Sequence, residues 1–230
     1  MKILLRIATA LLAFQALVSW AGEGLPSQKE YEPKGGKGRV VILVSGQTGP
    51  GNYAELAKGI ADGGYYVVLV DGNDFWIKGG GGESLLQGVI KRAQESPHAV
   101  AGKVGVIGCS LGGASVLTYA ARMPDTVAAV VAQYPLTSFI TDPGGFVGKI
   151  QVPTLLLAGT FDTYKGCCLI EKAREMDGAA KASAGPRLLE LHEYPGVDHG
   201  FSTDTSKRRD IMSDSLQRTI AHLRRYLTDS

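Results

Sequence analysis

Residues 103–121, KVGVIGCSLGGASVLTYAA, restrict the fold more than any other stretch of this chain. The apolar run Val104-Gly105-Val106-Ile107 reads as a buried strand, and Leu111, Val116, Leu117 and Ala120 fall at helical spacing. Between them lies Gly108-Cys109-Ser110-Leu111-Gly112-Gly113. A serine with glycine two places before and after it, between strand and helix, is the G-x-S-x-G arrangement. Crowding is its physical basis: the turn is so sharp that flanking side chains do not fit. The serine hydroxyl then stands clear of the sheet. It lies beside a helix N-terminus, whose free N–H groups favour developing negative charge.

The rest of the chain supplies a sheet for this turn to end. Apolar or alternating runs at 39–44, 65–70, 128–132, 153–157 and 187–194 read as further strands. Helical patterns are expected at 53–61, 83–94, 167–176 and 206–227, the last with Ile211, Leu216, Ile220, Leu223 and Leu227 on one face. Strands alternating with helices predict one α/β domain over residues 39–230, a mostly parallel sheet with helices on both faces. Residues 22–38 are polar and glycine-rich and read as an N-terminal lead-in with little periodicity. Gly79 to Gly82 follow no strand directly and precede no G-K-[ST], so they read as a flexible hinge and not a phosphate loop.

A length of 230 residues suits one such domain, and a 44% hydrophobic content supplies its core. Residues 1–21 stand apart. Lys2 and Arg6 bracket the start of an apolar run that ends Ser19-Trp20-Ala21, with small residues three and one places before Gly22. This pattern predicts a cleaved signal peptide, an exported, periplasmic or secreted protein, and no stable membrane association after cleavage. Two of the 24 lysines and arginines lie in the leader, so the remainder balance the 22 acidic residues, and the pI of 8.4 overstates the basicity of the mature chain. Nothing in this balance favours nucleic acid as a partner. Export makes a disulfide among Cys109, Cys167 and Cys168 an expectation. The pairing is open: a bridge from Cys109 to one of the adjacent pair, a bridge between the neighbours, or a buried free thiol. No Cys-x-x-Cys spacing or nearby histidine pair suggests a metal, and none is expected.

Acyl transfer needs a nucleophile, a base to take its proton, and an acid to orient the base. Ser110 is the candidate nucleophile. His199 lies just after the last strand and is the candidate base. Asp162, at the end of the preceding strand, is the candidate orienter. All three fall where strands of a parallel sheet run out, in the order serine, aspartate, histidine. Asp142 and Asp198 are weaker choices for the acid: one follows the wrong strand and the other adjoins the histidine. His98, His192 and His222 carry no assigned chemistry. The N–H groups of Leu111 and Gln47 are the candidate oxyanion donors. Phe75, Trp76 and Tyr134 are the candidate substrate-lining residues.

The segments Gly108–Gly113, Gly159-Thr160-Phe161-Asp162 and Tyr194-Pro195-Gly196-Val197-Asp198-His199-Gly200-Phe201 together resemble the dienelactone hydrolase branch of the α/β-hydrolase superfamily. The resemblance runs from about residue 39 to the C-terminus. It implies the α/β-hydrolase fold, hydrolysis of a small-molecule ester or lactone, and no cofactor. Two departures stand out. The namesake enzymes carry cysteine as nucleophile where this chain has Ser110, with Cys109 one place early. Ser45-Gly46 also replaces the His-Gly of many relatives. The serine favours general ester hydrolysis over the namesake lactone. Residues 134–151 are too short for a full helical cap, so an open mouth is expected. A peptidase or polymer deacetylase on the same site, and a non-catalytic binding protein of the same fold, remain as alternatives.

Overall fold

The computed structural model describes residues 24–76, 81–202 and 205–228. Seven strands form one sheet: β1 (Gln28–Tyr31), β2 (Gly38–Val44), β3 (Tyr66–Val70), β4 (Ala99–Cys109), β5 (Val127–Gln133), β6 (Thr154–Gly159) and β7 (Leu189–Tyr194). Their spatial order is β1-β3-β2-β4-β5-β6-β7. Every pairing is parallel except β1 with β3.

The helices are α1 (Ala54–Asp62), α2 (Gly81–Gln94), α3 (Leu111–Thr118), α4 (Pro143–Val147), α5 (Ile170–Ala182) and α6 (Thr205–Tyr226). They cover both faces, and for this reason the central strands are apolar at every position instead of alternately. Val40, Ile42 and Val44 of β2 point into one core with Leu86, Val89 and Ile90 of α2, Val116 and Leu117 of α3, and Ile170 and Met176 of α5. Val41 and Leu43 point into the other with Ala57 and Ile60 of α1 and Leu223 of α6. Each such side chain contributes about 1.5–3 kcal/mol when fully buried. α6 also packs on α1: a methyl group added at Gly59 would lie 2.7 Å from Leu216.

The lead-in is not wholly irregular, because its residues 28–31 pair antiparallel with the free edge of β3. Three expectations are corrected. The hinge expected at Gly79 to Gly82 lies partly outside the described residues, and Gly81 and Gly82 begin α2. Gly82 suits that place for another reason: a methyl group there would lie 2.6 Å from the Phe75 carbonyl oxygen. The helix expected from residue 167 starts at Ile170, after a single 3-10 turn over Tyr164–Gly166. Phe75, expected to line a substrate pocket, is 1% exposed and belongs to the core under α2 and α3. The expected signal peptide lies outside the described residues. Among those residues, no helix is long and apolar enough to cross a membrane.

Candidate active site

The turn at the end of β4 is as tight as its glycines imply. Ser110 has φ 52° and ψ −113°, a conformation that a residue with a side chain rarely adopts. A methyl group on Gly108 would overlap the carbonyl of Gly112, one on Gly112 would overlap the carbonyl of Val44, and one on Gly113 would lie 2.7 Å from Pro135. Neighbouring backbone holds the strained residue. Ser110 N–H donates to the Gln133 carbonyl at 3.0 Å, and its own carbonyl accepts from Ala114 N–H at 3.1 Å and Leu136 N–H at 2.9 Å.

Two further loops meet this turn. Asp162 follows β6, and His199 follows β7. The loops are stitched together: Thr160 N–H donates to the Tyr194 carbonyl at 3.0 Å, Phe161 N–H to the Val197 carbonyl at 2.9 Å, and Gly196 N–H to Thr160 Oγ1 at 2.9 Å. The result is an unbroken chain of side chains. His199 Nε2 lies 2.9 Å from Ser110 Oγ, and His199 Nδ1 lies 2.7 Å from Asp162 Oδ2. Asp162 is 2% exposed, and its other oxygen accepts from Tyr164 N–H at 3.2 Å. A buried carboxylate on Nδ1 leaves the lone pair of Nε2 facing the hydroxyl, the tautomer a general base needs.

Aromatic rings fix the imidazole plane. Tyr164 stacks on it at 4.7 Å with 9° between planes, and Tyr134 meets it edge-on at 5.2 Å. Tyr134 in turn packs edge-on against Phe201 at 4.8 Å. Tyr134 thus lies against the imidazole and is itself buried. Trp76 packs edge-on against Phe139 and is 40% exposed.

The loop after β2 reaches Ser110 as well. A methyl group on Gly46 would lie 3.2 Å from Ser110 Cβ, so the following residue, Gln47, starts beside the nucleophile candidate. The Gln47 carbonyl is anchored by Asn73 Nδ2 at 3.2 Å, and Gly72 N–H donates to Ser45 Oγ at 3.0 Å. Leu111, the other oxyanion-donor candidate, directly follows Ser110 and opens α3.

The other candidates sort out by contact. Asp142 caps α4, accepting from Gly145 N–H at 3.0 Å, and Asp198 accepts from the backbone N–H of His199 at 2.7 Å. His98 lies against the Gly36 carbonyl, and His222 against that of Pro153. Cys109 is a free thiol, fully buried, and burial pushes it up to about 12, so it is no thiolate at neutral pH. Cys167 and Cys168 are bonded to each other. The bridge between the neighbours is one of the open pairings, but its place beside the site, like the stacked Tyr164, is not foreseen in the sequence. Their common signal is a position just past a strand end, in the loop that carries Asp162. A cleft of about 510 Å³ opens between α4 and α5 but contains none of these residues, so the hydrogen-bonded chain and not cavity size locates the site.

A strained serine at a strand-to-helix turn, on an open sheet wound this way, defines the α/β-hydrolase class of fold. Comparison with known proteins narrows it. Residues 80–227 match the dienelactone hydrolase family, and the chain belongs to that family. No curated protein matches the sequence. Among solved structures, the fold is similar to a dienelactone hydrolase from Anabaena variabilis, with 21% identity and a TM-score of 0.67, over 90% of this chain and 95% of that one. It is also similar to Est1E from Butyrivibrio proteoclasticus, with 16% identity and a TM-score of 0.63, over 85% and 96% of the two chains. A monoacylglycerol lipase from Paleococcus ferrophilus gives 16% identity and a TM-score of 0.64, over 86% and 99%.

Proposed function

We propose that this protein hydrolyses carboxylic esters or lactones through a covalent acyl-enzyme on Ser110. The observation that carries the reading is the continuous hydrogen-bonded chain from Ser110 through His199 to Asp162. His199 Nε2 takes the hydroxyl proton as Ser110 Oγ attacks the substrate carbonyl. The N–H groups of Leu111 and Gln47 hold the oxyanion, and Asp162 stabilises the imidazolium. The imidazolium then protonates the leaving alkoxide. Water, deprotonated by the same imidazole, releases the acid and restores the serine. Residues 134–151 hold only α4, five residues long, so little covers the site and small or accessible esters fit best.

A fluorophosphonate probe tests the nucleophile. It is expected to label the wild type and not Ser110→Ala, and equal labelling of both would defeat the assignment. On short aryl esters, Asp162→Asn is expected to lose about 10⁴-fold in kcat, because the wrong tautomer is then favoured. A panel that adds lactones and peptide amides separates the ester reading from a peptidase. We further infer export, supported by the leader pattern of residues 1–21 and by a disulfide of the kind oxidising compartments maintain. The mass of the mature protein is expected to begin at Gly22. A chain isolated with residues 1–21 intact would remove that inference.

A further inference from the structure

The Cys167–Cys168 bridge stands at the catalytic imidazole. One ligand atom from each of Cys167, Cys168 and His199 lies within 4.8 Å of the other two. The backbone that presents the cysteines is held without help from the sulfurs. The Cys167 carbonyl accepts from Thr137 N–H and Ser138 N–H, both at 2.9 Å, and Cys167 N–H donates to the Tyr164 carbonyl at 2.9 Å. These bonds hold the Cys167 backbone whether or not the bridge is closed, so opening it would leave two thiols near the imidazole.

Two thiolates and an imidazole suit a thiophilic ion. Around tetrahedral zinc, sulfur at about 2.3 Å and nitrogen at about 2.0–2.1 Å leave neighbouring ligand atoms about 3.5–3.8 Å apart. The 4.8 Å spread is an outer bound about 1 Å above this. Nδ1 is taken by Asp162, so Nε2 is the nitrogen left for an ion, and each thiol must rotate away from its former partner. Asp162, on Nδ1 at 2.7 Å, is already the outer carboxylate that orients a metal-binding imidazole through its other nitrogen. That nitrogen, Nε2, is the one Ser110 uses.

We propose that the dithiol form of this protein binds a thiophilic divalent cation, of the zinc and cadmium class, through Cys167, Cys168 and His199, and that binding silences the hydrolase. The second half rests on the catalytic reading above. A dithiol reductant supplies two electrons and two protons; the S–S bond breaks, two S–H bonds form, and the reductant leaves as its own disulfide. On metal binding, the two thiol protons pass to solvent and the neutral imidazole gives its Nε2 lone pair. A fourth position stays open for water. In the disulfide form neither sulfur is a thiolate, so the bridge protects the imidazole from capture.

Cadmium chloride is the probe, read by the ultraviolet thiolate-to-cadmium absorption and, separately, by hydrolysis of a short aryl ester. Reduced wild-type protein is expected to bind one cadmium per chain and lose hydrolysis in step, with recovery on adding a chelator. Oxidised wild type is expected to show no band and no loss. Cys167→Ser/Cys168→Ser, which keeps the buried Cys109, is expected to show neither under reduction. His199→Ala, reduced, is expected to keep a weaker band, with affinity down at least about tenfold. Equal inhibition of the oxidised form, or unchanged cadmium affinity in His199→Ala, would overturn the proposal. A chain that hydrolyses no ester under any condition but gives the full absorption pattern would sink the catalytic reading and leave the metal site standing.

Discussion

Ser110 carries the strain of the molecule's turn in its own backbone, at φ 52°. Strain of this kind costs about 1–3 kcal/mol and persists because the surroundings over-determine it. Here the determinants are the contacts its glycine neighbours allow. Gly112 is one of the two tightest, since a methyl group there would overlap the Val44 carbonyl, which is sheet backbone and cannot yield cheaply. Gly112→Ala is expected to cost about 1–3 kcal/mol in chemical unfolding and to lower kcat, because Leu111 N–H moves with it. Unchanged stability and rate would show that the turn has slack. The neighbouring thiol gives the opposite expectation. Cys109 sits in the core, so Cys109→Ala should keep fluorophosphonate labelling and ester hydrolysis near wild type. Loss of labelling with the fold intact would point to Cys109 and not Ser110 as the labelled group. The glycines and the serine were legible because crowding leaves a residue-type signature. Tyr164 was not, since an aromatic in a polar loop looks the same whether it stacks on an imidazole or lies on the surface.

At the scale of elements, α5 depends on one buried charge. Asp177 is 7% exposed and lies 2.6 Å from Lys181 and 2.7 Å from Arg187. Burial works to raise its pKa, but the two cations outweigh it and hold the carboxyl below its usual range. A depressed folded-state pKa contributes stability that is present above the unfolded value, near 3.9, and is lost as pH falls through the folded value. Asp177→Asn is therefore expected to lower unfolding free energy by about 1–2 kcal/mol at neutral pH, the cations being half exposed and screened. In urea titrations the gap between variant and wild type should close below the ordinary carboxylate range. A gap that persists in acid would assign the loss to packing instead of charge. The helix containing Asp177 was legible from its periodicity, but its start was not. Cys167 and Cys168 look like helical core positions in sequence. Their bond to each other and the 3-10 turn before them delay the helix to Ile170.

For the whole molecule, the sheet separates stability from chemistry along the strand direction. Ser110, Asp162 and His199 all follow the C-terminal ends of strands, where an open α/β sheet leaves its crevice. That placement was readable from six apolar runs and the residues just after them. The seventh strand was not, because Gln28–Tyr31 is short and polar and gains its structure from the free edge of β3. Phe75 misled for a related reason: a loop aromatic shows no periodicity, and only the closure of α2 over it makes it core. The same geometry predicts where damage should stay local. Leu223 of α6 is 0% exposed and lies against Gly105 of β4, where an added methyl would come 2.5 Å from its Cδ2. Gly105 is five residues before Ser110, about 16 Å along the strand. Leu223→Ala removes core contacts that no neighbour can replace, and is expected to cost about 2–5 kcal/mol, a large share of a typical domain's stability. Yet kcat, measured at a temperature where circular dichroism reports full folding, should match wild type, because nothing between Gly105 and the turn at Ser110 needs to move. A rate loss in fully folded Leu223→Ala would mean that the packing of α6 sets the position of Ser110, and that scaffold and site are not separable in this fold.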